Sequence, residues 1–334
     1  MTKRERVIAA LEHQDTDIVP YHTRFVERTR KNMIAYLEDP EFEKKLGNHI
    51  EVRRCMDFAT ETEKGLFRDE FGVIWDRRDG SDIGIPFNTV LKEPKLDGLT
   101  FPEPVVSEIH REMKELSELP DDVFKMVNVG FTLYERAWSM RGIENLLVDM
   151  LLDEEFVAEL FDKIVAYDIA CMDEVLKTGV QFDAFYFGDD WGTQNGLIMR
   201  PELWRKIIGP RVAVLLEYSK KHGKYTFFHS CGNILDIFPD LIDAGLDAYD
   251  TFQPEIYDIR KVKKTFGNKL SFLGGISTQC LLPCESPEVV YATTREIMEI
   301  MGESGGFIAA PTHDIPHDVP PENIMAMIEA FKNQ

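Results

Sequence analysis

From about residue 121 onward, short apolar runs alternate with longer amphipathic segments. The apolar runs are rich in β-branched and aromatic residues, and they predict six strands, at 123–130, 182–188, 225–230, 247–252, 269–275 and 305–310. The segments between them repeat apolar residues at helical spacing and predict helices over 153–179, 201–223, 234–245 and 286–302. Pro201 and Pro287 stand in first turns, and Gly179, Gly223 and Gly245 lie where the chain leaves a helix.

Strands that alternate with helices at this spacing are typical of a parallel sheet covered by helices. About six such units are clear, so we expect the N-terminal region to supply the rest of a single (β/α)8 TIM barrel, an α/β fold. A doubly wound sheet is the alternative. It usually carries a G-x-G-x-x-G turn after an early strand, and this chain has none, so the barrel is favoured.

Residues 1–120 lack this regular alternation. Residues 3–13 place Val7, Ile8 and Leu11 on one helical face, and a charged, irregular region then becomes rich in Pro and Gly. We interpret 1–120 as an N-terminal helical and loop-rich cap with the first barrel elements, and 121–334 as regular βα units, within one domain over 1–334. The stretch 69–80, DEFGVIWDRRDG, fits a cap over the barrel mouth, but an amphipathic strand is the simpler interpretation.

Composition and charge narrow the classes of partner. Hydrophobic residues make up 44% of the chain, and 38 Lys and Arg against 59 Asp and Glu give a net charge of −21. Such a surface repels phosphate backbones and anionic lipids, so neither nucleic acid nor membrane is an expected partner. The chain shows neither a signal peptide nor an apolar membrane span, and its five scattered cysteines do not suggest a disulfide framework. We therefore expect a cytoplasmic protein.

Polar or reactive residues follow the predicted strands, where active sites of barrels lie. In HSCGN, His229 and Cys231 are two residues apart, so in an extended segment a nitrogen and a sulfur face one point. Zinc uses this mixture of ligands, and a catalytic zinc takes three protein ligands. The best third candidate is His313 in APTHD. Alternative third ligands are Asp189, Asp190, His317 and Cys280. An H-x-C pair alone is a weak signal, because a histidine at a strand end is more often only hydrogen-bonded.

The stretch GDDWGTQNG, residues 188–196, is the second candidate site. Asp189 and Asp190 could act as acid, base or ligand, and the adjacent Tyr186 and Trp191 could offer aromatic surface to an organic substrate. A helix-capping turn explains the same residue types equally well, because Asp, Gly, Thr and Asn are good loop formers.

Taken in order, several stretches together resemble the uroporphyrinogen decarboxylase superfamily: RERVIAALEHQDTDIVPY, GDDWGTQNGLIMRPELWRKIIGP, HSCGNILDIFPDLIDAGLDAYDTFQPE, LGGISTQ and GGFIAAPTHDIPHDVPPENIMAMIEAF. The resemblance covers nearly the whole chain and implies a single (β/α)8 barrel. True decarboxylases of this superfamily carry an arginine-rich loop of the form RQAGRY that holds the acidic arms of the tetrapyrrole. This chain reads HTRFVERTRKNM after VPY, so uroporphyrinogen decarboxylation is the alternative function.

The other branch of the superfamily comprises corrinoid-dependent methyltransferases, which are zinc proteins. In the members that methylate a thiol coenzyme, the ligands are the His and Cys of an H-x-C motif and a later Cys. The H-x-C positions match His229 and Cys231, and His313 stands where the family pattern has the later Cys. The resemblance thus implies a zinc site at these three residues. It also implies a corrinoid protein as partner, because this chain has no D-x-H-x-x-G pattern resembling a corrinoid-binding motif.

The expected reaction is transfer of a methyl group from a small donor, an aryl methyl ether, to the cobalt(I) of the corrinoid protein. Asp189 or Asp190 would orient or protonate the departing oxygen, and Tyr186 and Trp191 would pack against the ring of the donor. The further alternatives are a methylcorrinoid:thiol methyltransferase and a catalytically silent binding barrel. A homodimer is compatible with such a barrel.

Overall fold

Seven parallel strands form the central sheet of the computed structural model, which describes residues 1–334. The strands are β1 (Ile50–Arg54), β2 (Thr60–Glu63), β3 (Leu66–Arg68), β4 (Ile74–Asp76), β5 (Ile85–Pro86), β6 (Phe124–Phe131), β7 (Ala184–Gly188), β8 (Gly192–Thr193), β9 (Gly196–Leu197), β10 (Tyr225–His229), β11 (Ala248–Phe252), β12 (Ser271–Ile276) and β13 (Phe307–Pro311). The order in the main sheet is β1-β6-β7-β10-β11-β12-β13.

Helices cover the outside of this sheet. They are α1 (Lys3–Leu11), α2 (Glu27–Leu37), α3 (Val106–Ser117), α4 (Leu133–Arg141), α5 (Ile143–Leu152), α6 (Glu154–Lys177), α7 (Pro201–Ile207), α8 (Gly209–Lys221), α9 (Phe238–Asp243), α10 (Ile259–Phe266), α11 (Leu281–Cys284), α12 (Pro287–Gly302) and α13 (Pro321–Lys332), with short 3₁₀ turns at Phe42–Lys45 and Leu235–Ile237. None of them combines the length and the apolar composition needed to cross a membrane.

The six predicted strands are confirmed as β6, β7, β10, β11, β12 and β13. The helix predicted over 201–223 is divided into α7 and α8, because Pro210 starts a new helix and cannot continue the previous one. The predictions did not include β1, α4, α5, α10 or α13. The barrel fold itself is confirmed, and β1 is contributed by the N-terminal region as expected.

The main sheet does not close through an eighth regular strand. An extended segment around Tyr21 fills the gap between β13 and β1, where Tyr21 forms a single parallel bridge with Ala309. The amide of His22 donates to the Ala309 carbonyl (2.9 Å), and the amide of Ala309 donates to the Pro20 carbonyl (2.8 Å). On the other side the amide of His49 donates to the Tyr21 carbonyl (3.0 Å). This segment therefore occupies the eighth position of the barrel.

Small and aromatic side chains fill the inside of the barrel, and α1 closes its N-terminal end. Val7, Ala10 and Leu11 of α1 are buried in one cluster with inward-facing residues of the strands, among them Phe124 and Phe227. Because this end of the barrel is filled with apolar side chains, the open end is the one where the strands terminate.

A four-stranded antiparallel sheet, β2-β3-β4-β5, forms a cap in the long connection between β1 and α3. Buried ion pairs connect this cap to α4. The guanidinium of Arg136, which is 1% exposed, donates to the carboxylate of Asp69 (2.6 Å) and to that of Asp57, and Asp69 also accepts from the indole of Trp75 (2.9 Å). The stretch 69–80 thus contains a short strand and also belongs to a cap.

The Arg136→Met protein is expected to be about 3–5 kcal/mol less stable than the natural protein, because it leaves the buried carboxylate of Asp69 and the partly buried one of Asp57 without their cation. Urea unfolding followed by circular dichroism would measure the change. Arg78→Met is the matched control, since the ion pair of Arg78 with Asp76 in the same cap is exposed and should matter little. Equal unfolding midpoints for the two variants would contradict the structural role of Arg136.

Candidate active site

A cavity of about 250 Å³ opens where the parallel strands end, beneath the cap. Its lining includes the polar side chains of Arg24, Glu135, Tyr186, Asp190, His229 and His313. These residues are far apart in sequence, and they meet because the carboxyl ends of all barrel strands converge on one mouth.

The structure brings the three predicted metal-binding residues together. His229 is the last residue of β10, and Cys231 follows two residues later, while His313 follows the end of β13. One ligand atom from each residue lies within 4.8 Å of the others. His229 Nε2 and Cys231 Sγ are 3.5 Å apart. The alternative candidates His317 and Cys280 do not belong to this group.

A hydrogen-bonded network orients the imidazole of His229. Its Nδ1 lies 3.3 Å from Asp250 Oδ2 and 3.2 Å from the Tyr186 hydroxyl, which itself donates to Asp250 Oδ2 (2.6 Å). Arg24 donates to both Asp250 (3.0 Å) and Tyr186 (2.9 Å). Burial opposes the charge of Asp250, but the Arg24 guanidinium holds the pKa of this carboxyl below its usual range. A charged carboxylate on Nδ1 is the usual outer partner of a metal-binding histidine, and it directs Nε2 toward Cys231.

The electrostatics of this point favour a positive charge. Burial disfavours the charged form of His229, yet the neighbouring Tyr186 and Cys231 raise its pKa well above its usual range. For His313, burial and next the charge of His229 lower the pKa. The groups around His229 therefore favour its positively charged form. Two imidazole nitrogens and one thiol sulfur fit zinc, with a fourth position left for substrate.

The two adjacent aspartates have different roles in the structure. Asp189 is fully buried, and its carboxylate accepts hydrogen bonds from the backbone amides of Tyr134 (3.0 Å) and Glu135 (2.6 Å). It therefore caps the first turn of α4 and does not line the cavity. Asp190 does line the cavity: its Oδ1 accepts from the amide of Cys231 (2.7 Å) and lies 3.6 Å from His229 Nε2.

The two aromatic residues predicted to contact the substrate, Tyr186 and Trp191, also differ in their position relative to the cavity. Trp191 is fully buried, with its ring packed against Trp204 (centroids 5.2 Å apart) and Phe228 (4.7 Å). Its indole nitrogen donates to Asp189 (2.6 Å), so it presents no face to a ligand. Tyr186 does line the cavity. Of the four residues predicted from the GDDWG region, only Asp190 and Tyr186 reach the cleft.

Sequence reasoning missed Glu135, Arg24 and Asp250. Glu135 stands in the first turn of α4 and faces the cavity. Burial, and then the nearby carboxylates Asp190 and Asp189, raise the pKa of Glu135 well above its usual range, which favours the protonated form of this side chain. The signal that could have found it was its place directly after β6, because residues that follow barrel strands line the mouth.

Comparisons with known proteins agree on one family. A family model described as uroporphyrinogen decarboxylase (URO-D) matches residues 96–334. A methylated-thiol–coenzyme M methyltransferase of Methanosarcina mazei is 23% identical over 274 residues, which are 77% of this chain and 66% of that protein. A methylcobamide:CoM methyltransferase, MtaA, of Methanosarcina barkeri is 27% identical over 134 residues, 40% of this chain and 37% of its own length. A uroporphyrinogen decarboxylase of Coxiella burnetii is 23% identical over 177 residues, 52% and 46% of the two chains.

These curated relatives are thus matched over less than two thirds of their own length. A solved structure titled as a methyltransferase from Methanosarcina mazei superimposes with a TM-score of 0.78 at 17% identity, covering 100% of this chain and 99% of the other. That similarity supports the fold.

Proposed function

Because the chain belongs to the uroporphyrinogen decarboxylase family, we propose that it is a corrinoid-dependent methyltransferase, which moves a methyl group from a small aryl methyl ether to the cobalt(I) of a partner corrinoid protein. The observation that carries the proposal is the meeting of His229, Cys231 and His313, with Glu135 and Asp190 lining the same cleft as the two histidines. Two of the matched relatives are themselves named as methyltransferases. A cavity of about 250 Å³ suits a small donor.

In this proposal His229, Cys231 and His313 would hold a zinc ion. Bound there, zinc would supply a Lewis acid that polarises the ether oxygen. Arg24 and Asp250 keep the His229 ring in its orientation through the hydrogen bonds described above.

In the proposed reaction Glu135 donates a proton and Asp190 has a positioning role. As the ether C–O bond breaks, its electron pair stays on oxygen, and the methyl group accepts the electron pair of cobalt(I). Burial beside other carboxylates favours the protonated form of Glu135, which gives its proton to the departing oxygen. Asp190 receives the amide hydrogen bond of Cys231 and so sets the position of the thiol.

A second candidate is methyl transfer that involves a thiol or a methylated thiol, because two of the relatives are named for coenzyme M. Porphyrinogen decarboxylation fits the cleft less well. Beside the candidate metal centre the cavity contains the carboxylates of Asp190 and Asp314, which would repel an acidic arm of a tetrapyrrole placed there.

Three substrate classes should be offered to the purified protein to test the proposal: methoxylated aromatics, methylated thiols and a porphyrinogen, the first two with reduced corrinoid protein. The expected result is methylcobalt absorbance with the methoxylated aromatics. Methylcobalt formation only with methylated thiols would favour the second candidate. Turnover of the porphyrinogen without any methyl transfer would overturn the proposal.

The Glu135→Gln protein should transfer methyl groups about 10²- to 10⁴-fold more slowly from donors with a poorly departing oxygen, because the proton donor is lost. The loss should be much smaller for donors that release a strongly acidic phenol, since that phenolate departs without a proton. In the natural protein the rate should fall as the pH rises through the raised pKa of Glu135. An equal loss for all donors would argue against proton donation by Glu135.

A further inference from the structure

The cleft continues beyond the candidate metal centre into a second cavity of about 230 Å³ under the cap. The two cavities share five lining residues: Asp57, Ile83, Asn128, Gly130 and Phe131. The outer cavity adds, among others, Arg54, Arg77 and Trp75 together with the acidic residues Asp69 and Asp82. A ligand could therefore extend from the metal centre to this outer end.

Arg54 and Arg77 differ from the third arginine of the cleft in having no carboxylate partner. Arg24 forms ion pairs with Asp250 and Asp314. By contrast, the guanidinium of Arg54 donates only to the carbonyl of Asp57 (3.4 Å), and that of Arg77 donates to the carbonyl of Ile83 (2.9 Å). Two arginines without an ion pair at one end of a cleft stand out in a chain with a net charge of −21. Of the aspartates that line the same cavity, Asp57 and Asp69 form ion pairs with Arg136, and Asp82 accepts from the amide of Glu27. The guanidinium groups of Arg54 and Arg77 therefore keep N–H donors for an anionic ligand.

These two cations also repel one another. Burial, and next the charge of Arg54, lower the pKa of Arg77. Each guanidinium group lies over an aromatic ring. The Cζ atom of Arg54 is 5.5 Å from the ring centroid of Phe58, and that of Arg77 is 4.5 Å from the ring centroid of Phe67. An anion between the guanidinium groups would relieve the repulsion. A planar carboxylate matches guanidinium N–H donors better than a spherical ion does.

Apolar surface lies between the arginines and the metal centre. The rings of Trp75 and Phe131 stack with centroids 5.6 Å apart, and Ile83 lines both cavities beside them. An aromatic ring of the donor could pack against this surface. The cleft thus offers three zones in sequence, namely a metal centre, an aromatic wall and a pair of cations.

We propose that the methyl donor is an anionic aryl methyl ether, bound with its methoxy group toward His229 and His313 and its carboxylate on Arg54 and Arg77. The proposal rests on the proposed function and adds the chemical class of the donor. It assigns Arg54 and Arg77 to substrate recognition, at the end of the cleft opposite the reacting methyl group.

A binding experiment with a matched pair of ligands tests this inference without requiring turnover. Titration calorimetry would compare 4-methoxybenzoate with its neutral analogue 4-methoxybenzamide. The natural protein should bind the carboxylate at least about tenfold more tightly, because hydrogen bonds between charged groups are stronger than those to a neutral group. Arg54→Gln and Arg77→Gln should each weaken carboxylate binding by about tenfold and leave amide binding unchanged. Arg54→Lys should restore part of the preference.

Arg68→Gln is the control, because Arg68 is an exposed residue of the same cap that does not line either cavity. It should retain the full preference for the carboxylate. Since Arg77 also holds the Ile83 carbonyl, Arg77→Gln could disturb the cap. The exposed Arg54, with one 3.4 Å hydrogen bond, keeps the test independent of folding.

Equal affinity for the two ligands in the natural protein would overturn the inference, and so would a preference that survives in both glutamine variants. Weaker binding of the corrinoid protein with an unchanged ligand preference would assign the arginines to the partner and would also overturn it. An arginine-dependent preference in a protein that transfers no methyl group would support the anion site and reject only the proposed reaction.

Discussion

The His229→Ala protein is expected to lose the zinc proposed to bind at this site and about 10²- to 10³-fold of the proposed methyl-transfer rate. The substitution removes one of three donors, and the remaining Cys231 and His313 cannot complete a catalytic zinc site by themselves. It also leaves Asp250 without the imidazole that it contacts at 3.3 Å. The metal content of the purified protein, measured by mass spectrometry, and the rate of methylcobalt formation would report the two effects separately.

His110→Ala is the matched control for this experiment. His110 is exposed on α3, away from the cleft, and its replacement should change neither metal content nor rate. Stoichiometric zinc in the His229→Ala protein would reject the ligand assignment. Loss of the metal with full activity would instead show that the metal is not needed for the reaction.

Replacing Asp189 by asparagine should destabilise the protein, whereas the same change at Asp190 should hardly affect stability. Asp189→Asn should lower the free energy of unfolding by about 2–4 kcal/mol. Both carboxylate oxygens of Asp189 accept hydrogen bonds from N–H donors, and in asparagine an NH₂ group replaces one of them, so buried N–H groups are left unpaired. The donors include the amides of Tyr134 and Glu135, so activity should fall as well through misplacement of Glu135.

Asp190→Asn should leave stability nearly unchanged, since its amide oxygen can still accept from Cys231. Its activity should nevertheless fall by about 10–100-fold, because a charged group beside His229 is removed. Urea unfolding and initial rates on the same preparations would separate the two variants. If Asp189→Asn were as stable as the natural protein while losing its activity, Asp189 would have to be regarded as a catalytic group.

Six strands of the barrel could be predicted because each is a short apolar run that is buried on both faces. Helix α4 and strand β1 were not predicted, and each has a physical reason. On α4, Arg136, Ser139 and Arg141 are buried together with the apolar residues, so the sequence shows no separate polar face. In β1 only Ile50 is fully buried, and the charged residues that follow hide the strand.

The sequence alone determined the parallel βα order and the family resemblance. It also predicted that His229 and Cys231 meet a third residue, with His313 as the best candidate, because strand ends of one barrel must converge. Only the tertiary structure decided that Asp190 faces the cleft while Asp189 caps α4. The side chains of successive residues in an extended segment point in opposite directions. Which of the two faces the cavity depends on where a helix, here α4, packs against the segment. The place of Glu135 in the site was likewise decided by the tertiary structure, since its burial beside other carboxylates is a property of the folded chain.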